Sequence, residues 1–125
     1  GLLHCPKGRG GSSALHRTAR TLAPLPRNDI TLVACHHPLI DPDTPGTART
    51  RGGAAALARL AGLGATAILS GHVHDPFDRA HATPHGPIRL IGAGTLSERV
   101  RATPPSYNRL SVDDGILAVS VHRAG

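Results

Sequence analysis

Two compact histidine motifs are the residues best suited to do chemistry: His36-His37-Pro38, and Gly71-His72-Val73-His74. Neutral imidazole is the commonest nitrogen ligand for zinc, manganese and iron, and a metal needs several such rings to converge. His72 and His74 are two positions apart; in an extended segment that spacing puts both side chains on one face, about 6.5–7 Å apart, suited to two neighbouring metal positions. Two-metal hydrolytic sites hold their ions about 3.5–4 Å apart and use the pair to clamp a phosphoryl group. Two divalent ions that close repel by roughly 20 kcal/mol at an effective dielectric of 20, and neutral histidines do nothing to offset it. Such a site therefore needs a bridging carboxylate.

The elements that must position these residues are legible on either side. Ile30–Cys35 is a short apolar run with β-branched residues, read as a buried strand delivering His36 to its C-terminal end. Thr66–Ser70 repeats the arrangement and delivers His72. Between them, the spacing of Leu57, Leu60, Ala61 and Gly64 predicts an amphipathic helix over Gly52–Leu63 that stops at a glycine. A strand, helix and strand in this order form a βαβ unit, whose right-handed crossover sets the C-terminal ends of the two strands side by side. The expectation is that His36, His72 and His74 meet there, with ring nitrogens within about 6 Å of one another.

With these residues in place, the order of apolar strand, Cys35-His36-His37-Pro38-Leu39, crossover helix, apolar strand and Ser70-Gly71-His72-Val73-His74 resembles the C-terminal half of the calcineurin-like metallophosphoesterases. Ile91-Gly92-Ala93-Gly94-Thr95-Leu96-Ser97, with Arg99, Arg101 and Pro105-Ser106-Tyr107-Asn108 beyond it, is similar to the bacterial cyclic-nucleotide-phosphodiesterase-like branch, so the resemblance covers about residues 30 to 122. It implies an α/β fold in which residues 1–125 are the incomplete C-terminal half of a helix-flanked β-sandwich. It also implies a hydrolase acting on a phosphoester, diester or monoester, with two divalent ions (Mn, Fe or Zn) in the intact enzyme. His36 and His72 would ligate one ion and His74 the other. His37 is a weaker catalytic candidate, either facing substrate phosphate or turned into the sandwich. The family's Asp-x-His, Gly-Asp-x-x-Asp and Gly-Asn-His-Asp/Glu motifs do not occur, and upstream of His36 stand only Asp29 and Asn28. The expectation is a portion of an enzyme whose partner is the missing N-terminal half and which is inactive alone. Two other readings compete: a non-catalytic remnant holding one zinc through three histidines, and a basic nucleic-acid-binding module.

Composition bounds these readings. A chain of 125 residues supports one domain or part of one, and with Phe77 and Tyr107 as its only aromatics the core must be built thinly from Val, Ile, Leu and Ala. Net charge is +6 and Lys7 is the only lysine among 14 basic residues, a bias that GC-rich codons explain. The arginines are dispersed, with no basic helix or aromatic stacking platform, so nucleic-acid binding is disfavoured. Cys5 and Cys35 lack a metal-binding spacing, and Cys35 reads as core. No apolar run reaches the length of a membrane helix, and cytoplasm is the default location. The remaining expectations are a loop over Gly1–Ser13, a helix over Leu15–Leu22, and a loop over Asp41–Gly46 at the rim of the site. Strands follow over Ile88–Gly92, Tyr107–Val112 and Ile116–His122, with Asp113-Asp114-Gly115 as a hairpin turn. Asp75 is a candidate to orient the N–H of a metal-bound histidine, but reads first as opening a loop with Pro76, and His4, His16, His81, His85 and His122 read as surface residues.

Overall fold

The computed structural model describes residues 2–5, 11–27, 29–40, 52–97 and 104–124. The chain is mixed α/β. In order it forms β1 (Leu2–Cys5), α1 (Gly11–Leu22), β2 (Leu32–Cys35), α2 (Gly53–Gly62), β3 (Ala67–His74), β4 (Phe77–His81), β5 (Ile88–Gly94), β6 (Ser106–Asp113) and β7 (Ile116–Arg123). The first five strands make one sheet in the order β1-β2-β3-β5-β4, and β6 and β7 make a separate antiparallel pair. Strands β1, β2, β3 and β5 run parallel, and β4 folds back antiparallel on β5.

Alternation along the central strands sends apolar residues to both faces of this sheet. Val33, Cys35, Ile68, Ile88 and Leu90 pack with Leu22 of α1 and with Leu57 and Leu60 of α2. On the other face Leu32, Ala67, Leu69 and Ile91 meet Leu110, Leu117 and Val119 of the β6–β7 hairpin. The layers are therefore helices, sheet and hairpin. Each fully buried Leu or Ile contributes about 1.5–3 kcal/mol, and Leu22, Leu57, Leu60, Ile88 and Ile91 are all sealed from solvent. Cys35 is a buried, free cysteine within the helix-side core, as its strand pattern implies.

Local signals explain two of the connections. Helix α2 ends in a Schellman motif: Gly64 takes φ +92, its N–H donates to the Ala61 carbonyl at 3.0 Å, and the Ala65 N–H donates to the Leu60 carbonyl at 3.0 Å. The β6–β7 turn places Asp114 at φ 50 and Gly115 at φ 75, the paired positive angles of a type I′ hairpin.

Three expectations need correction. The stretch from Gly1 to Ser13 is not simply loop: Leu2–Cys5 forms β1, and α1 starts at Gly11 rather than Leu15. Strand β1 carries no pattern of its own and is specified by parallel pairing, Leu2 opposite Leu32 through Cys5 opposite Cys35. Beyond Asp75-Pro76 the chain does not stay in a loop but forms β4, whose mostly polar sequence is held by its ladder with β5. Asp41–Gly46 lies outside the described residues, as do Arg99 and Arg101.

The hairpin is tied to the sheet by polar contacts. Arg89 of β5 makes a two-pronged ion pair with Asp78 of β4, at 2.7 and 2.6 Å, and also donates to the Leu117 carbonyl. The bonds to Asp78 hold the Arg89 guanidinium above its ordinary pKa. Asn108 of β6 donates its amide N–H to the Gly92 carbonyl at 2.9 Å, which fastens β6 to β5. The Arg89 pair is about one-third exposed, which discounts its worth. Replacing Arg89 by Leu should cost about 1–2 kcal/mol in urea unfolding, chiefly through the carbonyl and carboxylate left without their donor.

Candidate metal centre

The site is built where β2 and β3 end. Cys35 is the last residue of β2, with its side chain in the core, and His36 and His37 follow directly in a bend. The two motifs are joined by backbone: the Gly71 N–H donates to the His36 carbonyl at 3.1 Å, extending the β2–β3 pairing by one step. Shared strand ends thus bring together the two motifs that lie far apart in sequence.

Strand β3 leaves regular geometry here. Its partners on β5 run to Ser70 opposite Gly92 and resume at His74 opposite Gly94, so β3 accommodates extra residues in a bulge. Within it His72 takes φ 66 and His74 takes φ 68, both left-handed. That corrects the expectation of a regular extended segment presenting both rings on one face, because the period-2 rule holds only while the ladder is regular. A non-glycine residue in this region costs about 1–2 kcal/mol, and such strain gathers at functional sites.

Three rings converge. The ring centroids of His36 and His37 are 4.6 Å apart, those of His36 and His72 5.2 Å, and those of His37 and His72 4.1 Å. One ligating atom from each ring can be chosen so that all lie within 4.8 Å of one another. His36 and His72 are exposed and His37 is half-buried. The structure therefore brings His36 and His72 together as expected, adds His37, and leaves His74 outside this set. His74 is half-buried in the bulge, and its Nδ1 is buried with no hydrogen-bond partner among the described residues. No carboxylate belongs to the set among the described residues.

The set fits a divalent ion by its donors. Four-coordinate zinc at about 2.0–2.1 Å from imidazole nitrogen separates its ligand atoms by roughly 3.4 Å, so side-chain rotation of the exposed His36 and His72 must close the gap. The first turn of α2 supports the loop that carries His36 and His37. A Cβ built on Gly53 would lie 1.6 Å from the Leu39 carbonyl oxygen, so only glycine lets the helix sit against this backbone. Sequence reasoning missed both Gly53 and the convergence of His37. The available signal for His37 was its place just past the strand, where neighbouring side chains are no longer forced to opposite faces.

A second feature is separate from the histidines. A cavity of about 370 Å³ lies between the sheet and β6, lined by uncharged residues including Leu69, Ile91, Ser106, Asn108 and Leu110. Ser106 Oγ and Asn108 Oδ1 are buried and have no hydrogen-bond partner among the described residues. His81 is half-buried, His16 and His85 are exposed, and His122 stacks on Tyr107 with its Nε2 3.1 Å from Ser120 Oγ. None of these joins the cluster. No helix among the described residues is long and apolar enough to cross a membrane. In comparison with known proteins, the chain matches no family model and no curated sequence.

Proposed function

We propose that the chain carries the C-terminal, histidine-bearing part of a metal-dependent phosphoesterase resembling the calcineurin-like family. The observation that carries this reading is the convergence of His36, His37 and His72 at the C-terminal ends of adjacent parallel strands. Two facing sheet layers with helices on one outer side also agree with part of a helix-flanked sandwich. A divalent ion bound here would supply Lewis-acid stabilisation of charge on a phosphoryl oxygen. The histidines hold and orient; as ligands they transfer no proton. The Gly71 N–H to His36 carbonyl bond and the α2 contact at Leu39 keep the two motifs in register. Chemistry with two ions needs a bridging carboxylate; the Asp-x-His motif that would provide it does not occur in the sequence, and no carboxylate joins the cluster among the described residues.

Two assays test the reading. Orthophosphate should bind the zinc-loaded protein but not a His36→Ala, His72→Ala double variant. Hydrolysis of bis(4-nitrophenyl) phosphate by these 125 residues with added manganese should match that of the double variant, because the second ion is not held. Phosphate binding that survives the double substitution would remove the site from phosphoester chemistry. Hydrolysis well above the variant's would show that the carboxylate motifs are dispensable.

A further inference from the structure

We propose that Cys5 and Cys35 are a redox pair that closes a reversible disulfide across the β1–β2 ladder when the protein meets a hydroperoxide. The pair is separate from the metal reading, because Cys35 lies in the helix-side core and outside the histidine set.

Register carries the inference. Cys5 and Cys35 are the only cysteines among 125 residues, and the parallel ladder that begins with Leu2 opposite Leu32 ends with these two opposite each other. Neighbouring strands lie about 4.7–4.9 Å apart, inside the roughly 4.4–6.8 Å between Cα atoms that a disulfide spans. Partners in a parallel ladder share a face of the sheet, so position 5 is on the same helix-side face as Cys35. A disulfide also requires Cβ atoms about 3.5–4.5 Å apart, closer than strand spacing alone gives by up to about 1 Å. Each cysteine is the last residue of its strand, and among the described residues the β1–β2 ladder ends at this rung. The approach therefore bends strand ends only. A bond closed under such strain belongs to the labile, reducible class.

The chemistry balances with a hydroperoxide as the two-electron oxidant. One thiolate attacks a peroxide oxygen of hydrogen peroxide, the O–O bond breaks, and the sulfur becomes a sulfenic acid as hydroxide leaves. The second thiolate attacks that sulfur, the S–O bond breaks, and a second hydroxide leaves. The two thiol protons convert both hydroxides to water, so two thiols and one hydrogen peroxide give one disulfide and two waters. Cys35 is only 9 % exposed, which selects a small oxidant over a bulky one such as glutathione disulfide.

The test adds hydrogen peroxide to the folded, reduced 125-residue protein, caps the remaining thiols with N-ethylmaleimide in denaturant, and reads the intact mass. The expected product is a monomer lighter by two hydrogen atoms that takes no maleimide. Trypsin should release residues 1–7 and 28–49 from it as one linked species, which dithiothreitol separates. Equilibrated with mixtures of reduced and oxidised dithiothreitol, the folded protein should favour the disulfide by at least about tenfold over the same chain in urea, because a crosslink that constrains the unfolded chain is in turn favoured by folding. Cys5→Ser should give no linked peptide under either condition. Oxygen added to Cys35 while Cys5 still takes maleimide would overturn the pairing, as would disulfide-linked dimers in place of the monomer. A folded chain that favours the bridge no more than the urea-unfolded one would show that the register does not bring the two cysteines together. Both thiols still capped, at a peroxide dose that oxidises the urea-unfolded chain, would overturn the proposal as well.

Discussion

Leu57→Ala should lower the free energy of unfolding by about 2–5 kcal/mol, the cost of lost transfer energy plus the cavity left behind. Leu57 is fully buried at the centre of the helix-side core, between α2 and the sheet residues Val33, Ile68 and Leu90. Small domains have little stability in reserve, and this core contains no aromatic residue among its fully buried members. A loss at the upper end would leave much of the protein unfolded at 25 °C. Urea unfolding followed by far-ultraviolet circular dichroism measures it. A loss below about 0.5 kcal/mol would mean that α2 does not pack on the sheet as described. The conservative Leu57→Met should cost less than about 1.5 kcal/mol, which separates volume from chemistry.

Gly53→Ala is the second large effect, and it couples stability to the site. The added methyl would lie 1.6 Å from the Leu39 carbonyl oxygen and 2.6 Å from its carbonyl carbon, both backbone atoms that cannot rotate away. Helix propensity alone favours alanine over glycine by about 1 kcal/mol, so an exposed helix position would gain stability from this change. Here the overlap should reverse the sign, with a net loss of about 1–3 kcal/mol. Relief comes by moving the α2 N-terminus or the backbone near Leu39, which directly follows His36-His37-Pro38. Zinc affinity should therefore fall by about tenfold or more, although no ligand has been touched. Ala54→Ser, at the adjacent exposed position, serves as the control and should change neither quantity appreciably. Unchanged zinc affinity in a destabilised Gly53→Ala protein would show that the α2 contact does not position the histidines.

What the sequence determined by itself are features written in local physics. The apolar pattern around β2, β3 and β5 follows from burial on two faces, and it placed both histidine motifs at strand ends. Helix α2 and its stop follow from apolar spacing and from Gly64, whose φ of +92 favours a residue without Cβ. The β6–β7 hairpin follows from Asp114-Gly115, which accept the positive angles of a tight turn. Tertiary structure decided the rest. Strand β1 and the polar strand β4 exist through ladders to partners distant in sequence or lying across a turn, and nothing in Leu2–Cys5 or Phe77–His81 alone distinguishes a strand from a loop. The same holds for the choice between His37 and His74 as companion to His36 and His72. A period-2 reading assigns faces only where pairing is regular, and the shift in register between Ser70 and His74 breaks that regularity at the site itself. Which rings converge was set by how β3 fits against β2 and β5, a long-range packing relation that no local window of residues contains.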